Sequence, residues 1–273
     1  MADSPAPEAQ TPAGRLFDAD ATEASREVTL RPSRRNLRLF LIRHGESAMN
    51  VKPHLIGGRS NSAPLTESGK AQAAALGRRL AAAGVSFDRV FSSTARRARE
   101  TAQIACGALG IDESTVVEVD DVLEICQGEW TGRERAEIYD SAFLERVQRE
   151  MCFLRAPGVS MADAPASGPP PPGESQWDVE CRVAAFVDTL LLPPEPAAAC
   201  PNGQRETVAI FMHGIAIKAF LRRILGASAS FVVHCQCANT SITELIYNTG
   251  DHNLDGWQVV RINDAAHLEM PPS

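Results

Sequence analysis

Two apolar runs in this chain end in the same pair of residues. Leu39-Phe40-Leu41-Ile42 leads into Arg43-His44-Gly45-Glu46-Ser47, and Val208-Ala209-Ile210-Phe211-Met212 leads into His213-Gly214. Short apolar runs read as buried strands, and open α/β sheets do their chemistry at the carboxyl ends of strands. A glycine after the histidine lets the backbone approach a ligand closely. Glu46 and Ser47 suit the first turn of a following helix, whose free N–H groups attract anions. The expected ligand is therefore a phosphate. Two further segments sit at expected strand ends. Phe91-Ser92-Ser93-Thr94-Ala95-Arg96-Arg97-Ala98-Arg99-Glu100-Thr101-Ala102 runs from a strand into a helix, and Leu123-Glu124-Ile125-Cys126-Gln127-Gly128-Glu129-Trp130-Thr131-Gly132 is a glycine-punctuated loop with an acid near its head.

In this order the four segments resemble the histidine phosphatase superfamily, in its phosphoglycerate-mutase-like branch, from about residue 37 to about residue 263. The resemblance implies that His44 is the nucleophile that becomes phosphorylated, that Arg43, Arg97 and His213 line the phosphate pocket, and that Glu124 donates the proton. Asn50, six positions after His44, matches a further phosphate contact. Arg97 is preferred over Arg96 and Arg99 because it stands five positions after Ser92, the family spacing. The other two are expected to face solvent or carboxylates such as Glu100.

These residue types suit the task. Guanidinium forks donate paired hydrogen bonds to phosphate oxygens and stay charged at every working pH. A neutral imidazole attacks phosphorus without a separate base, and neighbouring Arg43 and Arg97 disfavour protonation of His44. His213 is expected to donate a hydrogen bond to the transferring oxygens, with the Gly214 backbone N–H at the start of its helix beside it. Glu124 can serve as general acid only with a raised pKa, for which a dianionic substrate in a partly dehydrated pocket supplies two causes. Glu129 is the fallback acid. Arg59 is a candidate substrate contact on the pocket rim, whereas His54 reads as an ordinary loop histidine, and His234, His252 and His267 default to structural roles.

The elements that must place these groups alternate strand and helix, as an α/β three-layer sandwich with a mostly parallel central sheet and helices on both faces requires. Strands are expected near 38–43, 89–92, 115–119, 207–212, 241–247 and 257–262. Helices should begin near Ser47, at Thr66 and at Ser93, with later ones over 140–153, 175–192 and 214–225; Gly84 and Gly226 fall where two helices should end. Residues 1–36 have the composition of a disordered tail, and 37–268 form the catalytic domain. Residues 157–173, with four consecutive prolines, form a surface insertion expected to be mobile and near the pocket mouth.

Composition narrows the partners. A net charge of -7 argues against nucleic acid, and no segment is long and apolar enough to span a membrane. Seven cysteines favour a reducing, cytoplasmic setting over a disulfide framework. No metal site and no cofactor are implied. The expected partner is a small phosphorylated metabolite, with a phosphoprotein also among the candidates; the sequence leaves the oligomeric state open. Hydrolysis of phosphomonoesters is the leading activity. Phosphoglycerate mutase is the alternative, weakened because Gln127 stands where mutases of this branch carry tyrosine, and a non-catalytic phosphate-binding module is a third reading.

Overall fold

Alternation along two strands divides the core. In β1 (Leu37–Arg43), Leu37, Leu39 and Leu41 face one apolar cluster while Phe40 and Ile42 face another. In β4 (Glu206–Met212), Val208, Ile210 and Met212 join the first cluster, and Ala209 and Phe211 the second. A strand apolar on both faces must lie inside a sheet covered on both sides, which is why these two read as continuous apolar runs. The computed structural model describes residues 35–164, 168–192, 205–249 and 256–269. The tail expected over 1–36 lies outside them except for its last two residues.

The sheet contains β1, β4, β2 (Arg89–Ser93), β3 (Val116–Val119), β5 (Ile242–Asn248) and β6 (Gly256–Asp264) in the order β3-β2-β4-β1-β5-β6. The pairings of β3 with β2, β2 with β4 and β4 with β1 are parallel, while β5 and β6 add antiparallel. Helices α1 (Glu67–Ala82) and α2 (Arg96–Ala108) pack together, as do α5 (Gln176–Leu191) and α6 (Gly214–Leu225). Leu76 and Leu80 of α1 belong to the second apolar cluster, whereas Val183 of α5 and Phe220 of α6 belong to the first, so each pair covers its own face. This is the expected α/β sandwich.

Local signals set the helix ends. Thr66 caps α1 by accepting from the Gly69 N–H at 3.0 Å, and Ser175 with Asp178 forms a capping box on α5. Gly226 ends α6 with φ 58°, a conformation that favours glycine. Short helices α3 (Arg135–Ile138) and α4 (Ser141–Glu150) follow the acid loop, and α7 (Phe231–His234) precedes β5.

Two expectations fail. No helix follows His44: Asn50 Oδ1 accepts from the Ser47 N–H at 3.0 Å and its hydroxyl at 3.1 Å, and this side chain closes a turn that competes with helix. Ser47 bridges to Leu65 instead. The glycine after His44 also serves packing. A Cβ on Gly45 would lie 2.6 Å from the Gly69 carbonyl oxygen of α1. In addition, α2 starts at Arg96 and not at Ser93, because Ser93 Oγ is engaged by His213 and by the Ala95 N–H.

The proline-rich insertion folds back on itself. Val159 bridges to Pro172, Ser160 N–H donates to the Pro171 carbonyl at 2.8 Å, and Gly173 N–H donates to Gly158 at 3.1 Å. It rests on the acid loop through a 3.0 Å bond from the Glu129 N–H to the Pro157 carbonyl.

Candidate active site

Adjacent parallel strands bring the two histidines together. Arg43 of β1 is in register with Met212 of β4, so the next residues, His44 and His213, leave neighbouring strand ends. Their ring centroids are 5.1 Å apart. Arg97, in the first turn of α2, lies between them: its Nε donates to His44 Nε2 at 3.0 Å and its Nη2 to His213 Nδ1 at 3.0 Å. Its Nη1 donates to the carbonyls of Arg59 and Ser60 at 2.6 and 2.9 Å.

Because arginine only donates, these bonds fix both tautomers. His44 carries its proton on Nδ1, which donates to the Gly45 carbonyl at 2.7 Å, and keeps a lone pair on Nε2. His213 carries its proton on Nε2, which donates to Ser93 Oγ at 2.9 Å, while Nδ1 accepts from Arg97. The second histidine thus has both nitrogens engaged behind Arg97, in place of the expected N–H turned toward a phosphate. Burial first, then the charge of Arg97, holds both imidazoles well below their ordinary pKa, so each is neutral at neutral pH. Burial also lowers Arg97, to about 10, which leaves it charged.

Arg43 carries an unpaired donor. One of its terminal nitrogens holds the Cys237 carbonyl, and its Nε is buried without a hydrogen-bond partner. A buried donor left unpaired costs about 1–3 kcal/mol, which an oxyanion placed there offsets. Gly214 opens α6 alongside, where a Cβ would sit 3.6 Å from Arg43 Nε. Glu124 reaches the same helix start: one carboxylate oxygen accepts from the Ile215 N–H at 3.1 Å and the other from its own neighbour Ile125 at 3.0 Å.

His44, Arg43, Arg97, Glu124 and Asn50 line one cavity of about 500 Å³, with Ile215 at its wall. His213 and Gly214 are not part of that lining. Asn50 Oδ1 also accepts from Asn239 Nδ2 at 3.3 Å, which orients the amide so that Nδ2 is the group it can offer an anion. Arg59 is not brought to this cavity. Its Nε donates to the Glu124 carbonyl at 3.2 Å and its Nη2 pairs with Glu174 at 3.2 Å, facing a neighbouring cavity of about 380 Å³ that the insertion helps to line. Glu129, the fallback acid, is exposed and absent from the lining. Arg96 pairs with Glu100 at 2.7 Å and Arg99 with Glu118 at 3.4 Å, as expected. His267 bonds Thr240 at 2.9 Å, whereas His252 lies outside the described residues.

Several contributors were not singled out from the sequence: Ser93, which orients His213; Asn239, whose Nδ2 also holds the His44 carbonyl at 3.0 Å; and Lys52, Arg135 and Tyr139 at the mouth. Ser93 stood inside a motif already marked, but only its distance to His213 reveals its use. The mouth residues carry no motif.

The family model of the histidine phosphatase superfamily (branch 1) matches residues 39–264. The chain belongs to that superfamily. Among its relatives is the probable phosphoglycerate mutase GpmB of Salmonella paratyphi B, 28% identical over 237 residues that cover 86% of this chain and 96% of that protein. Among solved structures, a mycobacterial glucosyl-3-phosphoglycerate phosphatase superposes with a TM-score of 0.64 at 25% identity, covering 84% of this chain and 100% of its own. Bacillus stearothermophilus YhfR gives 0.63 at 26% identity over 85% of this chain and 99% of its own. Within this histidine phosphatase domain, no helix among the described residues is long and apolar enough to cross a membrane.

Proposed function

We propose that the chain hydrolyses phosphomonoesters through a phosphohistidine on His44, with Glu124 as proton donor. The observation that carries this reading is the tautomer of His44. Its Nδ1–H is spent on the Gly45 carbonyl, so the lone pair on Nε2 sits at the cavity floor beside Arg97 and the unpaired Nε of Arg43. An entering phosphate takes the Arg97 Nε–H onto one oxygen, which frees that lone pair, and takes the Arg43 Nε–H onto another. Nε2 then forms the bond to phosphorus as the ester oxygen leaves, and Glu124 gives that oxygen its proton. In the second half, Glu124 accepts a proton from water as the water oxygen attacks phosphorus; the bond from phosphorus to Nε2 breaks, its electron pair returns to His44, and phosphate departs.

The two arginines outnumber the one carboxylate at the floor, which favours a dianion there. Exposed Lys52 and Arg135 at the mouth favour a small metabolite with a second anionic group. The mutase reading draws on the name of the Salmonella relative. Incubation with 3-phosphoglycerate separates the two: hydrolysis releases inorganic phosphate, whereas isomer without free phosphate refutes the hydrolase. A chelator leaves the rate unchanged, since every proposed step runs through side chains of this chain.

A further inference from the structure

The acid loop is gripped from outside the cavity. The backbone carbonyl of Glu124 accepts from two arginines, Arg59 Nε at 3.2 Å and Arg182 Nη2 at 3.1 Å. Both guanidinium groups end on one carboxylate. Arg182 Nε meets Glu174 Oε1 at 2.9 Å, Arg182 Nη2 meets Oε2 at 3.2 Å, and Arg59 Nη2 meets Oε1 at 3.2 Å. Glu174 also closes on the loop directly: Oε2 accepts from the Cys126 N–H at 2.9 Å, and the Glu174 N–H donates to the Cys126 carbonyl at 2.8 Å. Arg182 Nη1 reaches further back, to the Asp121 carbonyl at 2.8 Å.

Residues 121, 124 and 126 are thus pinned by three side chains that are only 14–16% exposed. Their anchor is rigid. Glu174 immediately precedes Ser175, the capping residue of α5, and Arg182 lies two turns along that helix. Burial acts to raise the Glu174 carboxyl, but hydrogen bonds from Arg182 and the charges of Arg182 and Arg59 overcome it and hold the group below the usual carboxylate range. It is therefore ionised wherever the enzyme works. By contrast, none of Arg59, Glu174 and Arg182 lines the cavity that holds His44.

We propose that Glu174, acting through Arg59 and Arg182, is a positioning residue for the proton donor, and that the clamp governs departure of the alcohol and not capture of the phosphate. This rests on Glu124 being that donor. The Glu124 side chain has only short bonds to Ile125 and Ile215 to guide it, so its reach to the ester oxygen depends on where the loop backbone is fixed. Misplacement by about 1 Å is enough to cost about 100-fold in rate. The Nε2 of His44 is held by Gly45 and Arg97, and Arg97 meets Arg59 only at its backbone carbonyl, so no side chain of the clamp touches the nucleophile.

The test is leaving-group dependence in the full chain, read as single-turnover release of the alcohol or of 4-nitrophenolate, because Glu124 also serves the later water step on every ester. The 4-nitrophenolate of 4-nitrophenyl phosphate departs without a proton, while the alcohol of an alkyl phosphate such as 3-phosphoglycerate requires one. Glu174→Gln is expected to lower the single-turnover rate on the alkyl ester by about 10- to 100-fold, with the half-saturating concentration unchanged and release of 4-nitrophenolate within about threefold. Combined with Glu124→Gln, it adds no further loss on the alkyl ester. Arg182→Lys, which keeps the charge but cannot reach Asp121, Glu124 and Glu174 together, gives the same signature more weakly and serves if Glu174→Gln does not fold. Equal losses on both esters, or losses that multiply in the double variant, overturn the clamp as a positioning device. Glu124→Gln alone judges the underlying assignment: if it slows the single-turnover release of alcohol and of 4-nitrophenolate alike, Glu124 is not the donor, whatever Glu174 does.

Discussion

The floor and the mouth of the cavity are built by opposite means. At the floor, His44 and Arg97 are 3% and 4% exposed, and nearly every donor and acceptor there has a partner before a ligand arrives. At the mouth, Lys52 and Arg135 are exposed, on a turn and on the short α3, with Arg135 held by the Leu55 carbonyl and the face of Tyr139. The floor is fixed by the strand register, and its geometry fits the part common to all phosphomonoesters. The mouth hangs on loops, where contacts to the rest of a substrate must lie. Chemistry and choice of substrate are thereby separable, and each substitution below tests that separation.

The sharpest break comes at the nucleophile. His44→Ala should lower turnover of every phosphomonoester by about 1,000-fold or more, aryl and alkyl alike, since no leaving group substitutes for a missing attacking nitrogen. Loss of less than about tenfold on 4-nitrophenyl phosphate would place the bond-forming atom elsewhere. Next, Arg97→Lys keeps the charge but loses the fork that bridges both imidazoles and two carbonyls. A fall of about 100-fold in kcat/KM is expected on all substrates; a loss confined to one substrate would mean that Arg97 reads substrate bodies and that the floor is not generic.

Part of this contrast was legible in the sequence. The apolar runs of β1 and β4 announced an inside position, and His-Gly after each run placed both histidines at strand ends, although only the pairing of β1 with β4 makes those ends neighbours. Thr66, Ser175 and Gly226 marked helix ends by local chemistry alone. Where a side chain chose between local and distant partners, the sequence misled. Asn50 spent its oxygen on Ser47 and abolished the helix expected there, and Ser93 gave up a cap to orient a histidine more than a hundred residues away. Arg59 has the composition of a substrate contact, yet a glutamate far along the chain draws it to the back of the acid loop. Such competitions depend on distances that only the folded chain sets.

The buried floor should also report itself in stability against pH. His44 and His213 are held well below 6.5, and His267, buried near Arg79, is lowered to about 4. Below pH 6.5 the unfolded chain binds protons that these imidazoles refuse when folded, so their contribution to stability is present above that pH and is lost as pH falls through the window beneath it. Each neutral histidine contributes up to about 1.4 kcal/mol per pH unit. Urea midpoints measured from pH 7.5 to 5 should therefore be flat above 6.5 and fall below it. His213→Gln should make the descent shallower; an unchanged slope would mean that His213 is protonated in the folded state, against the tautomer that Arg97 imposes.

The mouth should give the smallest effects, and their form matters more than their size. Lys52 and Arg135 act across solvent, where a charge contact is worth at most about 1 kcal/mol and is screened by salt. Lys52→Ala and Arg135→Ala should each raise KM for 3-phosphoglycerate by about threefold to fivefold with kcat unchanged, and leave 4-nitrophenyl phosphate, which lacks a second anion, untouched. Added salt should shrink the difference, because the wild-type advantage is long-range attraction. If either substitution instead lowers kcat, or slows the aryl ester as much as the carboxylate-bearing one, the mouth takes part in phosphoryl transfer itself. The division between a buried floor that transfers and an exposed rim that selects would then fail at its outer edge.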